Sequence, residues 1–232
     1  MSIKSFFASK AFPLFLAISA FSIPLSLAAP SLAIPKDEAI SKLKSVSVYV
    51  LVKSDDEFLL TENDQSYFVN IFHDESMAQE ELKALKALDP MMSGSVKTYT
   101  LDGLFPIMET TQDDTKDSPK PVLFPLLATK ENAEKALEIL RSDGMSDDQI
   151  VSSLRMPVFF TDPMVTMERG STGRKQYFFL DYADLQSILN RLPSVIQRPK
   201  VKVLNLDQVL EVIIDKSDDL YEFYSPSWVL SC

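Results

Sequence analysis

Few residues in this 232-residue chain are of types that do chemistry, and their spacing limits what they could do. His73 is the only histidine and Cys232 the only cysteine. A zinc centre needs several His or Cys ligands converging on one point, so that class is closed, and a single cysteine forms no internal disulfide. A serine triad through His73 would need a nucleophile elbow, and no Gly-x-Ser-x-Gly occurs. His73 reads instead as a strand-end residue ahead of a helix opening at Asp74. The carboxylate pairs Asp55-Asp56, Asp113-Asp114, Asp147-Asp148 and Asp218-Asp219 could share acid and base work only if one cleft separated their pKa values. All four fall in predicted turns or helix starts, where solvation and capping account for them. The run Arg169-Gly170-Ser171-Thr172-Gly173-Arg174-Lys175 superficially resembles a phosphate cradle. It lacks the P-loop spacing and feeds a strand, whereas an anion loop feeds a helix N-terminus. It reads as an exposed turn, or as a basic contact patch for an acidic partner. No catalytic residue, metal site or cofactor is expected.

The distinctive side chains are apolar. Phe159 and Phe160, and then Tyr177, Phe178 and Phe179, offer large rings to both faces of their strands, and a core can absorb most of them. Met91, Met92, Met108, Met164 and Met167 sit near predicted element ends, where flexible thioethers suit surfaces that accept varied apolar partners. Taken from outward strand positions and the neighbouring hairpin, Phe159, Met164, Tyr177 and Phe179 are the candidate lining of a hydrophobic client-binding pocket.

The elements that must position these residues follow from periodicity. Val46, Val48, Val50 and Val52 alternate as a strand, with Phe58–Thr61 and Tyr67–Phe72 as further strands, a helix to Leu88 and a strand over Ser95–Thr100. A short helical turn over Leu101–Met108 precedes an acidic linker loop at 109–120. Pro121–Leu127 reads as a buried central strand and Lys130–Arg141 as a helix closed by Gly144. Met156–Thr161, Val165–Glu168 and Tyr177–Leu180 are strands, Asp181 an N-cap, Tyr182–Arg191 a helix, Val201–Asn205 a strand and Leu206–Asp215 a helix.

The second series repeats the first. Val48 meets Val158 at an offset of 110, Asp74 meets Tyr182 at 108 and Val96 meets Val201 at 105. Ser95–Leu104 aligns with Lys200–Val209, with Val, Lys, Leu and Asp identical in place. The expectation is an α/β (α+β) fold of two similar halves related by pseudo-twofold symmetry, each a small sheet with packed helices. The halves span 34–108 and 156–232, with a central strand and helices at 121–155.

Residues 1–33 read as a secretory leader: Lys4 and Lys10, then an uncharged apolar run from Ala11 to Ala29. Ser31 and Ala33 suit cleavage after Ala33; Ser26 and Ala28 offer an earlier alternative. Pro13, Pro24 and Pro30 and the short core argue against a retained membrane helix. Seven serines and no acid before Asp37 leave a plastid transit peptide open, although no arginine is present. The expected compartment is the periplasm, with the thylakoid lumen or the chloroplast intermembrane space as alternatives. The formal net charge is −10, and −12 without Lys4 and Lys10, a field that repels nucleic acid and anionic membrane surfaces.

In the order of its motifs the chain resembles the soluble twenty-two-kilodalton subunit of the chloroplast inner-envelope translocon and its cyanobacterial periplasmic relatives. Met156–Phe160, Tyr177–Leu185 and Val201–Val209 carry the likeness, with Pro121–Leu127 and the helix after it matching the middle piece. The resemblance implies a butterfly-like molecule with hydrophobic pockets and no enzymatic activity. It implies chaperone-like handling of unfolded proteins in outer-membrane biogenesis or preprotein import, with unfolded precursor proteins and an Omp85-type barrel assembly protein as partners. A structural assembly subunit and a carboxylate-dependent hydrolase are the rival readings.

Overall fold

A computed structural model describes residues 34–168, 174–193, 195, 197–215 and 220–224. The expected leader, residues 169–173 of the basic turn, the Asp218-Asp219 pair and the segment after 224 lie outside the described residues.

Pro35 fixes φ just ahead of α1 (Lys36–Ser41), whose first turn carries Asp37 and Glu38. A 3-10 turn (Lys42–Ser45) leads into β1 (Ser47–Val52). A short arm follows, β2 (Thr61–Glu62) and β3 (Tyr67–Phe68), and then β4 (Ile71–Phe72). Asp74 accepts a hydrogen bond from the Met77 backbone N–H and opens α2 (Glu75–Leu88). β5 (Ser95–Thr100) passes directly into α3 (Leu101–Thr115), and β6 (Val122–Leu123) and β7 (Leu126–Leu127) follow. The later series comprises α4 (Lys130–Ser142), α5 (Asp147–Ser153), β8 (Pro157–Asp162), β9 (Thr166–Glu168) and β10 (Arg174–Phe178). It continues with α6 (Tyr182–Asn190), β11 (Lys200–Asn205), α7 (Leu206–Asp215) and β12 (Tyr221–Phe223). Gly144, at φ +92°, ends α4 in the left-handed conformation that glycine tolerates best.

The first sheet runs β5-β1-β4-β7, with β1 antiparallel to both neighbours and β4 parallel to β7. The second has the same order. β8 is antiparallel to β11, a single antiparallel bridge joins Phe159 to Phe179 beyond β10, and β10 is parallel to β12. Register repeats as well as order. Val48 faces Tyr99 while Val158 faces Leu204, at offsets of 110 and 105. Tyr49 faces Phe72 while Phe159 faces Phe179, at offsets of 110 and 107. The helix offset is therefore 107, one less than the sequence alignment predicts, because the N-cap Asp74 corresponds to the N-cap Asp181. The repetition established here is one of connectivity and register.

Two segments differ from expectation. The predicted linker at 109–120 is helical as far as Thr115, with Pro106 inside α3 on an exposed face. The apolar face of that helix, Leu101, Leu104 and Met108, is buried, and this burial carries the polar last turns along. The predicted central strand at 121–127 is instead two short strands broken at Phe124-Pro125, each paired among the described residues on one side only, with β3 or with β4.

Both faces of the strands are apolar because each sheet is covered twice. The main core combines Val48, Val50 and Ile71 of the first sheet, Leu101 and Leu104 of α3, Val158 and Phe178 of the second sheet, and Leu206, Val209 and Ile213 around α7. On the far face of the first sheet, α2 seals Leu51 and Phe72 with Ala78 and Leu82. On the far face of the second, α4 and α6 seal Phe159, Tyr177, Phe179 and Val203 with Ala136, Leu185 and Leu189.

Candidate functional site

That last layer contains three of the four residues predicted to line a client pocket, and it buries them. Phe159 is 0% exposed, Tyr177 3% and Phe179 1%. They do not face outward, because α4 and α6 occupy the face that the sequence left open. Met164 lies apart from them, half-buried against the main core in the connection between β8 and β9, which pair with β11 and β10 and, among the described residues, not with each other as a hairpin. The structure therefore brings Phe159, Tyr177 and Phe179 together and does not bring Met164 to them.

The surface above this layer has a concavity. An open trough of about 580 Å³ runs along α6, lined by Glu131, Tyr182, Ala183, Gln186, Ser187, Asn190 and Arg191. Tyr182, Gln186 and Asn190 are spaced four apart on one helical face, as are Ala183, Ser187 and Arg191 on the next. Tyr182 links the trough to the core. Its ring meets that of Phe159 edge-on at 5.4 Å, and its hydroxyl accepts a hydrogen bond from Gln186 Nε2 at 2.9 Å. Lys135 of α4 lies over the same ring at 5.8 Å. Sequence reasoning missed this trough because alternating amides and small polar side chains on a helix read as an ordinary solvated face.

Capping bonds position the start of α6 beneath the trough. The Asp181 carboxylate accepts from the Ala183 N–H at 2.6 Å, and Asn132 Oδ1 accepts from the Tyr182 N–H at 2.9 Å. Asn132 Nδ2 in turn donates to the Leu180 carbonyl at 3.1 Å. Asn132 is itself buried, at 1% exposure. Its amide therefore ties the first turn of α4 to the start of α6 through two bonds, of which water cannot easily replace the buried one to the Leu180 carbonyl.

The shifted carboxylates and the histidine near the trough lie at helix starts. His73, half-buried at the end of β4, has its pKa lowered by burial, while the carboxylates of Asp181 and Asp74 act in the opposite direction. Asp74 is held below the ordinary carboxylate range, first by the Ser76 hydroxyl and then by backbone N–H groups. Asp184 is raised by burial and by neighbouring Asp181. These groups are caps and their neighbours. Among the described residues no cluster of three His, Cys, Asp or Glu side chains could hold a metal ion. Among them, too, no helix is long and apolar enough to cross a membrane.

Comparison with known proteins agrees with this architecture. No curated protein matches the chain. The fold is similar to that of Tic22 from Anabaena, a structure described as protein transport, with a TM-score of 0.68 at 18% identity over 86% of this chain and 98% of that one. It is also similar to Tic22 from Plasmodium falciparum, with a TM-score of 0.65 at 16% identity over 82% and 93% of the two chains. A model of the Tic22-like family matches residues 1–221, and the chain belongs to that family.

Proposed function

We propose that this protein is a non-enzymatic, chaperone-like escort in protein transport, which binds extended segments of unfolded client polypeptides and releases them quickly. The observation that carries the reading is membership of the Tic22-like family, joined to a fold that covers nearly the whole of the Anabaena Tic22 chain. The trough fits the role chemically. Gln186 and Asn190 offer amide donors and acceptors to a peptide backbone of any sequence, Tyr182 offers an aromatic floor, and Glu131 and Arg191 tolerate either charge. An open site of this kind binds weakly and lets go fast. Phe159, Tyr177 and Phe179 serve it from beneath, by fixing Tyr182 and α6, rather than as contacts.

The clients we propose are outer-membrane or precursor proteins in transit through the periplasm, or through an equivalent envelope space, with delivery to an Omp85-type assembly protein. The direct test is suppression of aggregation of an unfolded outer-membrane β-barrel by the purified protein, beside the trough-lining variants Tyr182→Ala and Gln186→Ala. Protection by wild type that weakens in the folded variants supports the reading. No protection at any stoichiometry refutes it and favours a fixed structural subunit.

A further inference from the structure

The outer edges of the two sheets are closed differently. In β5, Leu101 N donates to Val46 O at 2.9 Å, which sets the phase of the β1–β5 ladder. With that phase Ser95, Lys97 and Tyr99 point their backbone groups at β1, while Val96, Thr98 and Thr100 point theirs outward. Leu59 N donates to Leu51 O across the other side of β1, which requires the same phase. Among the described residues, nothing bonds the outward N–H and C=O of Val96 and Thr98. In β11 the equivalent bond, Leu206 N to Met156 O at 3.1 Å, points Val201, Val203 and Asn205 outward. That edge is guarded. Asp143, at the end of α4, grips both Lys200 and Lys202, and the Asn205 side chain bonds Ser153 O and Arg155 N, each at 2.9 Å. The Asn205 N–H is itself taken by Gln208 Oε1 at 2.9 Å. Among the described residues Thr100, the counterpart of Asn205, makes no such bond, and Lys97, the counterpart of Lys202, pairs with Asp56 of a turn at 3.1 Å and lies over the Tyr99 ring at 5.7 Å.

The open edge has apolar and acidic flanks. Leu88 and Met91, 84% and 91% exposed, precede it, and Lys86 Nζ donates to Gly94 O at 2.9 Å, pinning the last turn of α2 to the start of β5. Asp55, Asp56 and Glu57 lie in the turn after Val52, which pairs with Ser95 at the same end. A long exposed edge rich in Val, Thr and Tyr is what natural sheets suppress unless it is used.

We propose that β5 is a second client-docking site, where an extended segment of a client adds as a strand to the first sheet. The segment alternates apolar and polar residues and carries a basic residue toward its end near Ser95. This rests on the escort reading above and specifies how the client is held. Backbone bonds from Val96 and Thr98 supply sequence-tolerant binding, and Leu88 and Met91 receive alternate apolar side chains. Strands of outer-membrane barrels have this alternation. The antiparallel self-pairing that sets Val96 opposite Thr98 is disfavoured, since it places Lys97 opposite Lys97 of the second copy, and each chain carries a net charge of −10.

The test uses Thr98→Pro, which removes an outward N–H from an edge strand and spares every bond to β1, together with Leu88→Ser/Met91→Ser. Circular dichroism and thermal melts verify folding, and Val151→Ser, an exposed residue of α5, is the control. The probe is a fluorescein-labelled twelve-residue peptide alternating valine with threonine and lysine, read by anisotropy, with unfolded-barrel aggregation run in parallel. Binding at least tenfold weaker in Thr98→Pro, with severalfold weakening in the double variant and none in the control, supports the site. Wild-type protection against aggregation with peptide binding unchanged in Thr98→Pro overturns the edge site and leaves the escort reading standing. Failure of wild type in both assays overturns both. A wild-type dimer in light scattering that Thr98→Pro converts to monomer assigns the edge to a second copy and overturns the client proposal.

Discussion

Replacing Asn132 by alanine tests whether a single buried amide fixes the trough. The substitution removes the donor to the Leu180 carbonyl and the acceptor from the Tyr182 N–H, bonds of 3.1 and 2.9 Å. Leu180 is buried at 5% exposure, so its carbonyl finds no substitute partner. The Tyr182 N–H begins a helix beside a half-exposed residue and is partly rescued by water. A buried orphan costs about 1–3 kcal/mol; about 2–3 kcal/mol for Leu180 and, with rescue by water, about 1 kcal/mol or less for Tyr182 give about 2–4 kcal/mol in all. For a chain of this size the midpoint falls about 2–4 °C per kcal/mol, a drop on the order of 10 °C. Urea melts and thermal denaturation followed by circular dichroism would measure it. Asn132→Asp sharpens the test, because it keeps the acceptor, loses the donor and adds a carboxylate next to that of Asp181. It should be at least as unstable at neutral pH and should recover in part on acidification, as the protonated acid regains a donor. A loss below about 0.5 kcal/mol in Asn132→Ala would refute the claim that this amide secures α6.

Three further outcomes follow from the same packing. Phe159→Ala should cost about 3–5 kcal/mol, as for a large ring removed from a closed core, and a denaturant titration showing near-wild-type stability would contradict its burial. Gly144→Ala should cost about 1 kcal/mol, since an L side chain is strained at φ +92°, and its thermal midpoint checks this. The folded pKa of His73 lies below its ordinary 6.5, so the unfolded chain takes up the proton first. Its contribution is complete above about pH 7.5 and is lost as the pH falls through 6.5 toward the folded value. In urea melts at pH 8, 7, 6 and 5, His73→Gln should flatten that decline, and an unchanged profile would assign it to other groups.

The fold was legible where local signals agreed with tertiary demand. Asp74 and Asp181 are good caps in sequence and cap α2 and α6 in the structure. The Val-Lys and Leu-Asp matches between Ser95–Leu104 and Lys200–Val209 reflect one register, because β5 and β11 occupy equivalent edges. Legibility failed where partners distant in sequence decide the outcome. Nothing in Glu109–Thr115 asks for a helix; Leu101, Leu104 and Met108 impose it by burying the first turns. Tyr221–Phe223 carries no strand expectation of its own and becomes a strand through its parallel pairing with β10.

Hydrophobicity also misjudged the exposure of three candidate pocket residues, for a reason that applies to any sheet covered on both faces. Period-two alternation separates an inner from an outer face only when one face meets water. At Phe159, Tyr177 and Phe179 both faces are packed, so the strongest apolar signal in the chain marks its deepest layer. What remains at the surface is the weaker signal: a polar helix face with one ring beneath it, and a six-residue edge whose unpaired groups are backbone atoms and leave no trace in residue type. Binding that must accept many client sequences is best served by such groups, since peptide amides are common to every client and side chains are not. A surface selected for sequence tolerance is therefore one that its own sequence hardly announces.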